Sequence, residues 1–275
     1  MGLFEGRNAI VTGASRGIGA AIAERLAAEG ANVAIVARTL DQHDHLAGSL
    51  TETIDRCRRY GTRIEPIAAD LADADDRARV VPEALERFDG RVDILVNNAA
   101  AAIYAPIAQF PLKRRRIIFE VNVHAPIDLA QAVAPQMIER GEGWIVNLTS
   151  GSARLVDGPP YRTEGVAGTL GVYGASKAAL DRITNAYAVE LQTTGVRINA
   201  VGPRAVVKSE GAWVLVGDYV TDDLVEPMEA MVESVIALCE CGPERTGKVL
   251  VSLDLLAELG RTVMRLDGSG PLDGD

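Results

Sequence analysis

Seven short apolar, largely β-branched runs, at 8–12, 32–37, 63–68, 92–96, 144–148, 197–201 and 248–251, alternate along the chain with longer segments of helical periodicity. Between the first two, Ile18, Ile22 and Leu26 recur every four residues, and Gly30 follows where a helix C-cap belongs. Strands linked through helices need right-handed crossovers, so the alternation demands a parallel sheet with helices on both faces. The runs are nearly all apolar, as strands buried on both faces must be. The predicted class is therefore α/β, with a doubly wound, seven-stranded, mainly parallel sheet. A chain of 275 residues, 48% hydrophobic, supports one such domain. Its core is expected over about 6–252, with a flexible Gly, Asp and Pro-rich tail from about 261.

Composition narrows the partners. The formal charge of −10 sets up a field that repels phosphate backbones and anionic lipid, which argues against nucleic acid and membrane partners. Glu5 and Arg7 stand near Met1 with no apolar stretch between, so a cytoplasmic protein without a signal peptide is expected. Cys57, Cys239 and Cys241 lack a second ligand pair, and His43, His45 and His124 are scattered; no metal is expected.

After the first run comes Thr12-Gly13-Ala14-Ser15-Arg16-Gly17-Ile18-Gly19, leading straight into a helix. A backbone that turns tightly and admits a pyrophosphate cannot carry side chains throughout, and the helix N-terminus offers free N–H groups. Nucleotide choice falls where the second run ends, Val36-Ala37-Arg38-Thr39, with no acid at its tip. Arg38, with Arg16 from the glycine turn, would fork onto a 2′-phosphate, which favours NADP(H); Asp41 nearby keeps NAD(H) as the alternative.

Tyr173-Gly174-Ala175-Ser176-Lys177 places a phenol and an ammonium at i and i+4, on one face of a helix. A cation beside a phenol stabilises the phenolate, so this pair can pass a proton to or from an oxygen. Ser150 ends the run 144–148 at a strand-to-loop junction, where ligands of such sheets bind; its hydroxyl would hold a substrate oxygen, with Thr149 the neighbouring alternative.

These motifs, in this order, resemble the short-chain dehydrogenase/reductase family, with its TGxxxGIG turn, NNAG run, catalytic Ser and YxxxK pair. The resemblance covers Gly6 to about Val251. It implies a Rossmann-type fold and hydride exchange between NADP(H) and a carbonyl or secondary alcohol, with a catalytic tetrad of Asn122, Ser150, Tyr173 and Lys177. Expected cofactor contacts are Gly13, Ser15, Arg16, Gly17, Ile18, Gly19, Arg38, Thr39, Asp70, Leu71, Asn97, Ala99, Tyr173, Lys177 and Pro203. Asp70 would meet the adenine amino group, or else cap the helix at 73–87. Asn97 would brace the sheet and flank the adenosine, and Asn122 would hold a water in a relay through the lysine, or else bond its own helix backbone. A homotetramer or dimer through the helices of Asn122 and Tyr173 is implied.

Three departures stand out. Ala100 replaces the last glycine of NNAG. Ser150 and Tyr173 are 23 positions apart, about ten more than the family's interval, and the extra loop, 154–171 with Tyr161, is expected as a partial lid. Lys208 stands where the family has a threonine that contacts the carboxamide, and Trp213, Val214, Leu215 and Tyr219 beyond it would form an apolar cover, or simply core. An apolar pocket suits a lipophilic substrate. The competing readings are a nucleotide-binding sensor without turnover and, less well supported by the chain's length, a nucleotide-sugar epimerase or dehydratase.

Overall fold

The computed structural model describes residues 2–41, 48–161, 166–204, 206–209 and 225–272. The expectations for His43, His45, Trp213, Val214, Leu215 and Tyr219 lie outside these residues.

Seven parallel strands form the central sheet, in the order β3-β2-β1-β4-β5-β6-β9. They are β1 Asn8–Thr12, β2 Asn32–Ala37, β3 Ile64–Ala68, β4 Ile94–Asn97, β5 Gly143–Leu148, β6 Val196–Gly202 and β9 Val249–Val251. Every residue of β1 and β5 is buried, which is the two-sided burial their apolar composition requires. Ile10 lies opposite Ala34 of β2 and Leu95 of β4, so the order reverses at β1, and a crevice opens at the carboxyl ends of β1 and β4. A separate two-residue pair, β7 Val206–Val207 with β8 Val225–Glu226, stands apart from the sheet.

Helices cover both faces. On one side α1 Gly17–Ala28, α2 Leu50–Cys57, α7 Met228–Cys239 and α8 Ser252–Leu259 bury Ile22, Leu26, Leu50, Val235, Ile236 and Leu255. On the other, α3 Ala74–Arg87, α5 Ala125–Arg140 and α6 Gly171–Glu190 bury Val80, Ala84, Leu129, Val133 and Ala188. The first helix ends as its spacing predicts: Gly30 has φ of 90°, and its N–H donates to Ala27 while that of Ala31 donates to Leu26.

Within the described part of the tail, residues 261–272 make contacts that their composition does not announce. Met264 bridges Pro271, the Leu272 N–H donates to Val263, and Leu266 packs against the core, so one apolar side chain anchors a turn of polar residues.

A buried charge cluster ties these layers together. Arg25 on α1 is 2% exposed and donates to Glu233 on α7, 1% exposed, at 2.6 Å. Glu233 also accepts from Arg261 at 2.5 Å. Removing the carboxylate takes one of two partners from the buried guanidinium, which keeps Glu29 at 2.8 Å, so Glu233→Ala should cost about 1.5–3 kcal/mol in urea unfolding. An unchanged unfolding midpoint would show that other groups satisfy Arg25.

Candidate active site

The crevice is a cleft of about 760 Å³ running from the glycine turn to Tyr173. Its floor is a glycine necessity. Gly13 has φ of 67°, and a Cβ there would lie 2.8 Å from Ala99 Cα. A Cβ on Gly19 would lie 2.3 Å from the Gly13 carbonyl oxygen. Arg16 precedes α1 in extended conformation and its side chain makes no cap, which leaves the helix's first N–H groups to a ligand. Asn98 clasps the turn from the β4 side: its side-chain amide donates to the Thr12 and Gly13 carbonyls, while the Thr12 hydroxyl accepts from the Asn98 and Ala99 N–H groups.

The far wall holds Arg16, Arg38, Thr39, Asp70 and Leu71. The Arg16 Nε is buried and has no hydrogen-bond partner among the described residues, an orphaned donor at the edge of a phosphate cradle. Asp41, the acid that favoured NAD, accepts from the Thr51 hydroxyl at 3.0 Å and is absent from the cleft lining. Asp70 lies in the cleft and does not cap the following helix. Asp73 does so, accepting from the Asp75 and Asp76 N–H groups, while Asp70 accepts from the Ala72 N–H in a local turn.

At the opposite end, Tyr173 and Lys177 share one face of α6. The Lys177 ammonium is buried and donates to the Leu148 carbonyl at 2.7 Å, with its Nζ 6.0 Å from the Tyr173 ring centroid. Burial lowers its pKa to about 8. The same burial pushes the Tyr173 phenol well above the ordinary tyrosine range, the Tyr104 phenol adds to this, and the Ser150 hydroxyl pulls it back. The ligand-free site therefore holds Tyr173 as a neutral acid. Ser150 follows β5, and its oxygen accepts from the Ser152 hydroxyl at 3.0 Å. The neighbouring Thr149 hydroxyl is buried beside the Asp181 carboxyl.

Asn122 lies in a π-helical turn, Glu120–His124, between α4 Leu112–Phe119 and α5. Such turns often mark functional positions. Its side chain accepts from the Ala101 N–H at 2.7 Å and donates to the Ala101 carbonyl and the Ser176 hydroxyl, so it bonds a neighbouring segment and α6 rather than its own helix.

The cleft thus brings together Gly13, Ser15, Arg16, Gly17, Ile18, Gly19, Arg38, Thr39, Asp70, Leu71, Ala99 and Tyr173. Asn97, Asn122, Ser150, Lys177 and Pro203 are not among its lining. Asn97 faces into the sheet, donating to Asn147, which donates in turn to Thr184. Pro203 follows β6, and Lys208 follows β7 with its side chain exposed. Tyr161 is 60% exposed and folds onto Gly158, where a Cβ would meet its ring at 2.4 Å; it does not line the cleft as a lid would. Sequence reasoning missed Tyr104, whose ring lies 5.6 Å from that of Tyr173, as well as Asn98, Ile117 and Val121. Only Asn98, beside Asn97 in the NNAA run, carried a signal.

Among the described residues no group of three His, Cys, Asp or Glu is placed to hold a metal, and no helix is long and apolar enough to cross a membrane.

A family profile for short chain dehydrogenases matches residues 7–215. An L-xylo-3-hexulose reductase of Hypocrea jecorina is 36% identical over 221 residues, 73% of this chain and 66% of the relative. The chain spans 60 to 66% of the length of its first curated relatives. A short chain dehydrogenase structure from Mycobacterium thermoresistibile shares 29% identity at a TM-score of 0.80, covering 99% of this chain and 95% of that one. A metagenomic short-chain oxidoreductase in complex with NADP shares 29% identity at a TM-score of 0.71, covering 90% of this chain and 97% of that one.

Proposed function

Because the chain belongs to the short chain dehydrogenase family, we propose that it interconverts a carbonyl and a secondary alcohol on a lipophilic small molecule, with NADP(H) as redox partner. The observation that carries this reading is the cleft itself, which joins a glycine turn with an orphaned Arg16 donor to a half-buried Tyr173 beside Lys177.

When bound, the nicotinamide supplies or accepts the hydride at the carbinol carbon. The chain's own residues handle the oxygen and its proton. Tyr173 is held protonated by burial and gives its phenolic proton to the carbonyl oxygen as negative charge develops there. Ser150 orients that oxygen through its hydroxyl. Lys177, pinned to the Leu148 carbonyl, places a positive charge near the nascent phenolate and can pass on a proton. Asn122 acts at one remove: it locks the Ala101 backbone to α6 and so sets the wall opposite Tyr173. Gly13, Gly17 and Gly19 admit the pyrophosphate, Ser15, Ile18 and Ala99 line its path, and Asp70 and Leu71 face the adenine. Arg16 and Arg38, with Thr39 beside them, would hold the 2′-phosphate, and Pro203 would serve the nicotinamide end. Assembly into a dimer or tetramer through the helices of Asn122 and Tyr173 is part of this reading, and the exposed Ile138 and Val189 support it.

Lys177 gives the reaction a pH signature. Its ammonium is present below about 8 and lost above it. Carbonyl reduction should therefore be level through neutral pH and fall as pH rises through that value. Alcohol oxidation, which needs Tyr173 deprotonated, should rise with pH instead. Steady-state profiles in both directions check this, and a reduction rate level across the whole alkaline range would remove Lys177 from the proton path.

The test of function is a panel of lipophilic ketones and secondary alcohols, each followed by reduced-nicotinamide absorbance with both cofactors. Turnover with NADPH favoured over NADH is expected. A marked NADH preference would contradict the roles given to Arg16 and Arg38.

A further inference from the structure

Four consecutive cations, Lys113, Arg114, Arg115 and Arg116, occupy the start of α4, and all four are exposed. Their placement opposes both local and global electrostatics. A helix N-terminus is the positive end of its dipole and favours acids, yet the first turn of α4 has none, and like charges one turn apart repel. Several other arginines are matched: Arg25, Arg77, Arg79, Arg87 and Arg261 each sit in ion pairs. Among the described residues the four cations have no ion pair. Glu120, one turn beyond Arg116, is held by Arg77 at 2.8 Å. In a chain of net charge −10 this is a locally frustrated cationic patch, which a bound anion would relieve.

Its position says which anion. Ile117 lines the cleft, and Lys113 and Arg114 lie one turn before it on the same helix face. Two apolar side chains nearby in the chain are exposed, Ile107, 71% exposed, and Leu112, 50% exposed, which opens α4. The Ile107 side chain comes close enough to Gly171 to fill the space of a Cβ there, two residues from Tyr173. Arg16 and Arg38, the cations suited to the cofactor, belong to the β1 and β2 side of the switch point, whereas α4 follows β4. We propose that the substrate is an amphiphilic anion. Its carbonyl lies at Tyr173, its apolar body crosses Ile107 and Leu112, and a phosphate-bearing end rests on Lys113 and Arg114, the two cations one turn before Ile117. This rests on the function proposed above and names the substrate class of the same site.

The test uses methyl ketones of graded chain length, each with either a terminal phosphate or a terminal hydroxyl, reduced with NADPH by the full-length protein. The wild type should favour the phosphate member by about 10–100-fold in kcat/KM at one chain length, with a preference that shrinks as salt rises. In a variant with all four cations changed to Gln, the ratio should fall to about one. An equal preference in wild type and variant overturns the proposal. So does a loss confined to the KM for NADPH, a change in assembly mass, or loss of binding to phosphatidylglycerol vesicles without any phosphate preference, which assign the cations to cofactor, neighbouring subunit or membrane surface. If the wild type reduces neither ketone, the functional reading fails on its own. Decyl phosphate titrated calorimetrically into the NADPH complex then still decides, since saturable binding abolished in the variant supports the anion site and equal binding refutes it.

Discussion

Tyr173→Phe should lower kcat/KM for carbonyl reduction by about 10²–10⁴-fold while leaving nucleotide affinity close to that of the wild type. The substitution removes one oxygen and keeps the ring, so the contact with Tyr104 at 5.6 Å and the packing of α6 survive. What disappears is the proton donor. Lys177 cannot substitute, because its ammonium points to the Leu148 carbonyl, and Ser150 can hold the oxygen but its aliphatic hydroxyl is a far weaker acid than a phenol. Steady-state kinetics with NADPH, alongside fluorescence titration of the nucleotide, separates the two effects. A variant retaining most of its turnover would mean that another group, or solvent, protonates the product.

The second large effect concerns the cofactor. Changing Arg16 and Arg38 together to Ala should raise the KM for NADPH by about 100-fold or more while changing that for NADH little, since hydrogen bonds to a charged phosphate contribute about 1.5–3 kcal/mol each. Arg16 is the stronger contributor in this account because its Nε is already buried without a partner among the described residues, so desolvation is incurred before the ligand arrives. The Asp41 carboxylate does not compensate toward NADH, being engaged by Thr51. Parallel kinetics with both nucleotides measure the ratio. Equal losses for NADPH and NADH would mean that the arginines hold the pyrophosphate or the turn itself.

Local regularity explains which of these features the sequence displays. Strands buried on both faces announce themselves by unbroken apolar runs, and their observed ends shift by only one or two residues. The start of β4 moves from 92 to Ile94 because Asp93, buried and paired with Arg91 and Arg140, belongs to the turn that enters the strand. The glycine turn and the Tyr173–Lys177 pair are legible because each depends on short spacing within one element. Features made by contact between distant segments are not. Asn122 owes its orientation to a π-helical turn, which no residue pattern marks, and Tyr104 meets Tyr173 only through the fold. The two-residue pairing of β7 with β8 is too short to leave a periodic trace. Four adjacent cations do not by themselves mark a site, and only the fold shows that Ile117 just beyond them lines the cleft. The composition of the tail does not announce that Leu266 packs against the core.

The central claim is that this cleft exchanges hydride with a carbonyl carbon while Tyr173 manages the proton. NADPH carrying deuterium at the transferable position of the nicotinamide, incubated with the ketone panel, tests it most directly by mass spectrometry of the products. The account predicts one deuterium on the carbinol carbon of at least one alcohol formed by the wild type, at a rate falling about 10²–10⁴-fold with Tyr173→Phe. Nucleotide binding with no deuterium in any product, by wild type and variant alike, would contradict it and favour a protein that senses the nucleotide without turning it over.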